Sequence, residues 1–166
     1  QDVAIWERHA RDVHDHGLIG YYHVDPSANH PPFISEVESW LFDASEATGI
    51  PFRIFLRSPL ALLDAATAFL LFSLLGACQW RFAAAAAYWL NPLSIIFSGY
   101  HGNTDSAVAF FLVFCVWLLS KDKLPAAAIA LGLSLWIKLP IVLALPALLF
   151  FISEWRKRFQ FLVTTG

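Results

Sequence analysis

Residues 91–105 read NPLSIIFSGYHGNTD and join two strongly apolar stretches of the chain. Pro92 interrupts an apolar helix there, because proline has no backbone N–H to donate. Two glycines flank a tyrosine and a histidine, and Asn103 and Asp105 follow at the start of the next apolar stretch. Broken backbone at membrane depth is tolerated only against protein or a water-filled cavity. An ionisable residue there is a functional candidate. The stretch therefore predicts one wall of a polar cavity.

The composition is that of a membrane protein. Of the 166 residues, 58% are hydrophobic and 14% charged, whereas average soluble chains carry roughly 25% charged residues. The mean hydropathy is +0.58. No basic stripe indicates a nucleic-acid partner, and Cys78 and Cys115 have no metal-binding or redox spacing. We predict an all-α, multi-pass transmembrane helical bundle. We expect an internal fragment, with at least one span before Gln1 and more after Gly166.

Charge is distributed unevenly along the chain. Residues 1–52 contain nine acidic and two basic side chains, a formal charge of −7, whereas the remainder carries +5. This difference divides the chain into residues 1–53, a polar outer loop, and residues 54–166, a transmembrane region that we expect to continue beyond both ends.

The outer loop contains two helical patterns. Apolar residues recur at helical spacing over residues 3–16, and Gly17 is a plausible stop. Residues 20–32 are rich in turn formers and predict a loop. A second amphipathic helix is predicted over residues 33–48, ended by Gly49. Its predicted apolar side comprises Ile34, Val37, Trp40, Leu41 and Ala44. Both helices are too charged to span, which favours helices along the membrane interface or packed on the transmembrane part.

The transmembrane region is predicted to contain three spans and two short arms. The predicted spans are residues 54–78, 82–97 and 106–119, and the arms are residues 125–137 and 141–152. The arms are shorter than the ~20 residues that a span needs, and they meet at Lys138-Leu139-Pro140. We predict a helix–turn–helix bent at that tripeptide.

Basic residues fall in alternate turns between the apolar stretches. They are Arg81, Lys121, Lys123, Arg156, Lys157 and Arg158. The positive-inside rule makes their side cytoplasmic. Residues 1–53, residues 98–105 and Lys138 are then expected on the non-cytoplasmic side.

An ordered series of motifs resembles the GT-C class of glycosyltransferases, in particular bacterial-type mannosyltransferases. The motifs are Asp2 before an amphipathic helix, Tyr21-Tyr22, Asn29-His30-Pro31-Pro32-Phe33, Arg57-Ser58-Pro59 with Asp64, Asn91-Pro92, Gly102-Asn103-Thr104-Asp105, and Lys138-Leu139-Pro140 with Pro146. Members of this class are multi-pass enzymes that use polyprenyl-phosphate-linked sugars. The resemblance implies an inverting hexosyltransferase whose partners are a polyprenyl-phosphate sugar, a glycan, lipid or protein acceptor and membrane lipids. It also implies a bacterial inner membrane as the location.

The resemblance also assigns roles to residues. An acidic residue just after the first transmembrane helix is commonly the catalytic base in this class, and Asp2 matches it. A carboxylate can take the proton of an attacking hydroxyl, and cations can stabilise the phosphate leaving group. The predicted substrate-binding residues are Tyr22, His30, Arg57, His101, Asn103, Asp105 and Lys138, with Asp64 as an intramembrane polar residue. Arg53 is a further cation on the same face.

Structural roles compete with each of these assignments. Asp2 could cap its helix, as could Asn103 with Asp105. Asp64 could be neutralised by protonation or paired with a neighbour. Three predicted substrate-binding residues could also have other roles. His30 could shape its loop, and Arg57 and Lys138 could reach lipid headgroups.

A metal site has weaker support. His9, Asp12 and His16 share one helical face, but their spacing matches no metal motif and a solvated polar face is favoured. Some members of the GT-C class use a divalent cation and others do not. We predict no tightly bound metal or other cofactor.

Two other functions compete with the glycosyltransferase interpretation. An ion-coupled secondary transporter, with Asp64 or Asp105 as the ion or proton site, would suit the broken helices. Its difficulties are the long acidic outer loop and the absence of an apparent inverted repeat. A non-enzymatic membrane scaffold would leave the polar cluster at Asn103 and Asp105 without a purpose.

Overall fold

The computed structural model describes residues 2–26 and 28–166, and the side chain of Asp2 lies outside the described part. Every regular element in these ranges is helical. The α-helices are α1 (Asp2–Val24), α2 (Pro32–Thr48), α3 (Phe52–Leu74), α4 (Arg81–Trp89), α5 (Pro92–Ser94), α6 (Asp105–Leu119), α7 (Leu124–Ile137), α8 (Leu145–Phe151) and α9 (Trp155–Thr165). A π-helical segment (Ile95–His101) follows α5, and a 3₁₀ segment (Leu139–Ala144) precedes α8.

Among the described residues, two helical stretches are long and apolar enough to cross a membrane. They are α3, with 23 residues, and the stretch Arg81–His101, with 21 residues. The predicted span 106–119 appears as α6, whose 15 residues cover only about 22 Å at 1.5 Å per residue. The prediction of an all-α helical membrane protein is confirmed in the described part of the chain.

Helix α1 is interrupted at Gly17, where the sequence predicts a stop, and a second helical segment follows directly. Gly17 has φ 70° and ψ 162°, a left-handed conformation that favours glycine, and the helix then resumes as far as Val24. The predicted loop over residues 20–32 is therefore wrong for residues 20–24. Tyr21 in this second half is buried, so packing keeps the segment helical although its sequence is rich in turn formers.

Helix α2 has the predicted ends but a different buried face. It begins with Pro32 and ends at Gly49, whose φ is 70° and whose N–H donates to the Ser45 carbonyl. Its buried residues are Ile34, Ser35, Glu38, Ser39, Phe42 and Ser45, whereas Trp40 on the predicted apolar side is 58% exposed. Three serines of α2, Ser35, Ser39 and Ser45, are therefore buried on this face together with Ile34 and Phe42.

Two hydrophobic clusters hold the helices together. One joins α1, α2 and α3 with the ends of α6 and α7, and contains Trp6, Ile34, Leu56 and Ile137. The other joins α6, α7, α8 and α9 around Leu131. Helices α1 and α2 are thus packed on the apolar helices that follow them.

The second apolar stretch is broken where the sequence predicts it. The Asn91 side chain accepts a hydrogen bond from the Leu93 N–H at 3.0 Å, and Pro92 opens α5. Residues 98–105, expected on the non-cytoplasmic side, begin within a π-helical segment that continues to His101. Gly102, with φ 72°, then ends the segment.

The bend between the two short arms is confirmed. Lys138 is extended, with φ −149° and ψ 121°, between α7 and the 3₁₀ segment. The second arm differs from the prediction in that its first turns are 3₁₀ and only then become α8. This bend directs Lys138 toward the start of α6.

Candidate functional site

The candidate site lies where the start of α1, the first turns of α3 and the segment after the π-helix meet. Gly102 is the point of closest approach. A Cβ added at Gly102 would lie 2.9 Å from Leu56 Cδ2 and 3.4 Å from Val3 Cγ2. The positive φ favours glycine at this position, and any Cβ there would require the Leu56 side chain to move. At Gly102 the segment is therefore packed directly against α1 and α3.

Lys138, Asp105 and Asn103 form one polar cluster. Lys138 Nζ lies 2.5 Å from Asp105 Oδ1 and 3.4 Å from Asn103 Oδ1. Asn103 Oδ1 also accepts the backbone N–H of Asp105 at 3.2 Å, and Asp105 stands in the first turn of α6, where a negative charge is favourable. Asn103 therefore bonds a backbone N–H at the start of α6 and also belongs to the cluster. The side chains of Lys138 and Asp105 are 27% and 58% exposed, so the cluster is open on one side.

His30 lies beside this cluster. Its ring packs on Trp6, with centroids 4.7 Å apart. A small cavity of about 120 Å³ is lined by Ile5, Trp6, His9, His30 and Asn103. Burial, and next the charge of Lys138, lower the pKa of His30 below its ordinary value. The imidazole is consequently neutral at pH 7 and can accept as well as donate a hydrogen bond.

Arg57 lines a larger cavity on the other side of α1. This cavity, of about 710 Å³, lies between the start of α1, the end of α2 and the start of α3, and Arg53 lines it too. The Arg57 guanidinium carbon is 5.5 Å from the centre of the Tyr100 ring. Its Nε is buried with no hydrogen-bond partner among the described residues. Arg57 is therefore a cation with an unused donor at the edge of a cavity.

Tyr22 and His101 are held by neighbouring residues. The Tyr22 hydroxyl donates to the His30 carbonyl oxygen at 2.5 Å, so Tyr22 shapes the loop that carries His30. His101 ends the π-helical segment, and its ring contacts Phe97 and Tyr100. The structure brings His30, Asn103, Asp105 and Lys138 together and leaves Tyr22 in a supporting position.

Asp64 has its own set of partners, away from this cluster. It is buried, with 6% exposure, and its Oδ1 accepts a hydrogen bond from the Tyr88 hydroxyl at 3.0 Å. Ser98 Oγ donates to Oδ2. Asp64 also lines a separate cavity of about 190 Å³ beside the π-helical segment. The expectation that Asp64 could be paired with a neighbour agrees with these contacts.

Glu38 is a residue that the sequence reasoning missed. It is 1% exposed, and burial raises its pKa well above the ordinary value. Its Oε1 and the hydroxyl of Tyr21 are both buried without a hydrogen-bond partner among the described residues. The sequence contains an indication of this burial, because Glu38 stands four residues from both Ile34 and Phe42 and so lies on the same helical face.

The polar face of α1 is only partly solvated. His16 is exposed and bonds the Asp12 carbonyl at 3.1 Å, as a solvated face predicts. For His9 the prediction is wrong, because it is buried and its Nε2 lies 3.5 Å from Asp25 Oδ2; burial is the main cause of its lowered pKa. Within residues 2–26 and 28–166, no group of three or more His, Cys, Asp or Glu side chains could hold a metal ion.

The Asp2 side chain lies outside the described residues, so its assignment as the catalytic base stays a prediction. The next residue, Val3, faces Gly102 and lines the cavity that contains Arg57. The start of α1 is therefore adjacent to the residues predicted to bind substrate.

Comparison with known proteins gives two matches. Residues 99–165 match the family described as mannosyltransferase (PIG-M). GPI mannosyltransferase 1 from the yeast Kluyveromyces lactis is 34% identical over 89 residues, which is 51% of this chain and 22% of that protein. The chain thus spans about a fifth of the length of this curated relative. No solved structure matches this chain.

Both matches concern the same kind of enzyme, although the relative comes from a yeast and gives no support to a bacterial origin. The matched stretch begins at Gly99, inside the π-helical segment, and includes Asn103, Asp105 and Lys138. The matches confirm the predicted resemblance to membrane glycosyltransferases of the GT-C type, and residues 99–165 carry the sequence pattern of the mannosyltransferase (PIG-M) family.

Proposed function

We propose that this chain is part of a membrane mannosyltransferase that moves mannose from a polyprenyl-phosphate donor to an acceptor on the non-cytoplasmic face. One observation carries the proposal. The stretch that matches a mannosyltransferase family contains both Asp105 and Lys138, and these two residues form an ion pair next to the start of α1. A family match and an open, charged cluster therefore coincide.

The proposed reaction needs one base. The acceptor hydroxyl oxygen bonds to the anomeric carbon of mannose as the bond from that carbon to the donor phosphate breaks, with inversion. The phosphate oxygen leaves with the bonding electron pair. The hydroxyl proton passes to a carboxylate, for which Asp2 is the candidate because α1 begins there. A lipid phosphate is already a good leaving group, so no second carboxylic acid is required.

Cations are needed where the phosphate departs. Arg57 has an unused donor and Arg53 lies one helical turn away on the same cavity. Lys138 is held by Asp105 at the opening of the cluster. Charge-assisted hydrogen bonds to phosphate are stronger than neutral ones, so these side chains could bind the donor and stabilise the leaving group together.

The acceptor is proposed from the relative's name. The yeast protein is a GPI mannosyltransferase, and we infer a GPI-related acceptor for this chain. The transporter alternative is less well supported. Asp64 and Asp105 are each bonded by protein groups, and both matches are with mannosyltransferases.

A transfer assay with the full-length protein tests the proposal. The purified protein in lipid nanodiscs would receive isotopically labelled polyprenyl-phosphate mannose and, separately, labelled nucleotide-linked mannose, each with a GPI-precursor acceptor. We expect label in the acceptor only from the polyprenyl donor. Direct use of the nucleotide sugar would contradict the donor class. In sealed vesicles, uptake of label that collapses with an ionophore would favour the transporter.

A further inference from the structure

The second membrane-length stretch is interrupted, and one carboxylate bridges the interruption. Tyr88 stands in α4, before the break at Asn91, and Ser98 stands in the π-helical segment after it. Pro92 lacks the N–H that a continuous helix would use. Both hydroxyls contact Asp64 of α3, Tyr88 at Oδ1 and Ser98 at Oδ2. The two halves of the broken stretch are therefore tied to the same side chain.

Ser98 is also where the candidate site begins. It is buried, and seven residues later Asp105 pairs with Lys138. Between these two points, Tyr100 lies against Arg57 and Gly102 against Leu56. The segment 98–105 is thus fixed at one end by Asp64 and at the other by Lys138.

We propose that Asp64 is a positioning residue of the site: by binding Tyr88 and Ser98 across the break, it fixes the segment that presents Tyr100, Asn103 and Asp105. Asp64 does so through hydrogen bonds and does not act as an ion or proton carrier. The effect on catalysis rests on the proposed function, whereas the effect on the segment does not.

The hydrogen bonds provide a specific test. Ser98 Oγ also contacts the carbonyl oxygen of Ser94, and a hydroxyl has only one proton to donate. An asparagine at position 64 can satisfy every group. Its Oδ1 accepts from Tyr88, its Nδ2 donates to Ser98 Oγ, and Ser98 donates to the Ser94 carbonyl. An amide therefore preserves positioning but abolishes binding or release of a proton at this residue.

The experiment compares Asp64→Asn and Asp64→Ala in the full-length protein in nanodiscs. Two quantities are measured, the turnover with polyprenyl-phosphate mannose and the hydrogen–deuterium exchange of residues 95–105. We expect Asp64→Asn to retain turnover within about threefold, and Asp64→Ala to lose tenfold or more, since small misplacements at a site are costly. Exchange in residues 95–105 should rise in Asp64→Ala only.

Ser73→Ala is the matched control. Ser73 lies on the same helix and accepts a hydrogen bond from Trp117 Nε1 at 3.0 Å, so the variant removes an inter-helix bond of α3 that does not reach the segment. Its exchange over residues 95–105 should stay at the wild-type level. If Asp64→Ala fails to fold, Tyr88→Phe and Ser98→Ala each remove one of the two hydrogen bonds to Asp64 and should each raise exchange there. Ser98→Ala also removes the contact with the Ser94 carbonyl, so Tyr88→Phe is the cleaner of the two.

Two results would overturn the inference. Asp64→Asn with turnover as low as Asp64→Ala would show that the carboxylate itself is required. Unchanged exchange in Asp64→Ala, or in both single-bond variants, would show that the segment does not depend on Asp64. If the wild-type protein transfers no mannose, the proposed function fails, and the exchange measurement still decides the positioning role.

Discussion

Lys138, on the bend after α7, and Asp105, in the first turn of α6, are joined by an ion pair with Nζ 2.5 Å from Oδ1. Because both side chains are partly exposed, such a pair contributes roughly 0–1 kcal/mol to folding stability. Its more important effect is on position. The pair holds a cation at the open side of the site, close to His30 and Asn103.

Lys138→Ala should therefore impair donor binding more than stability. Loss of a charge-assisted hydrogen bond to the donor phosphate should raise the KM for polyprenyl-phosphate mannose about 10- to 100-fold. The free energy of unfolding should fall by less than about 1 kcal/mol. Donor-dependent kinetics and thermal unfolding measure the two effects.

Lys157→Ala is the control for that variant. Lys157 pairs with Glu154 at 2.7 Å, and both side chains are exposed. The variant removes a comparable ion pair on the side predicted to be cytoplasmic, so the donor KM should not change. A normal donor KM in Lys138→Ala would show that Lys138 does not bind the donor phosphate. An equal rise of the donor KM in Lys157→Ala would show the same.

Glu38→Gln should stabilise the protein at neutral pH. Burial raises the pKa of Glu38 in the folded state above the ordinary value of 4.5. Above pH 4.5 the Glu38 carboxyl loses its proton in the unfolded chain but keeps it in the folded chain. The free energy of unfolding of the wild type therefore falls as pH rises from 4.5 toward the folded-state pKa. Glutamine removes this loss, because it does not titrate.

Thermal unfolding of the full-length protein across pH 4.5–8 measures this effect. The Tm advantage of Glu38→Gln should grow with pH and vanish near pH 4.5. Glu46→Gln, an exposed change on the same helix, should show no such trend. A Tm difference independent of pH would mean that Glu38 is not held neutral in the folded state.

Sequence reasoning succeeded where a single residue dictates the backbone. Gly49 ends α2, Pro92 breaks the second stretch, and the bend at Lys138 precedes Pro140. In each case the cause is local, namely a left-handed conformation or a missing N–H. The same reasoning placed Asn103, Asp105 and Lys138 on one side, because they fall in alternate turns, and the three side chains form one polar cluster.

The features that the sequence did not predict depend on tertiary contacts. Nothing local distinguishes Ser98 from any serine in an apolar helix, so its bond to Asp64 and the π-helical turn around it could not be predicted. Glu38 shares a helical face with Ile34 and Phe42, but it was not singled out because acidic residues are seldom fully buried. Its burial follows from the packing of α2 on α1, which is decided by residues far apart in sequence.

The topology leads to a labelling prediction. A cysteine at Ile50, which is 42% exposed between α2 and α3, should react with an impermeant thiol reagent added to the non-cytoplasmic side. A cysteine at Lys121, exposed after α6, should react only after permeabilisation, because the positive-inside rule places it in the cytoplasm. Ser98 is unsuitable as a reporter because it is buried. Labelling of position 121 without permeabilisation would reverse the orientation.

The most direct test of the central claim is the turnover of Asp2→Asn with saturating labelled polyprenyl-phosphate mannose, measured together with donor affinity. Asparagine preserves size and can still cap α1, but it cannot accept the acceptor's proton. We predict turnover lower by a factor of about 10² to 10⁴, with folded yield and donor affinity close to wild type. Near-normal turnover would contradict mannose transfer at the start of α1, and loss of folded protein would instead assign Asp2 to capping.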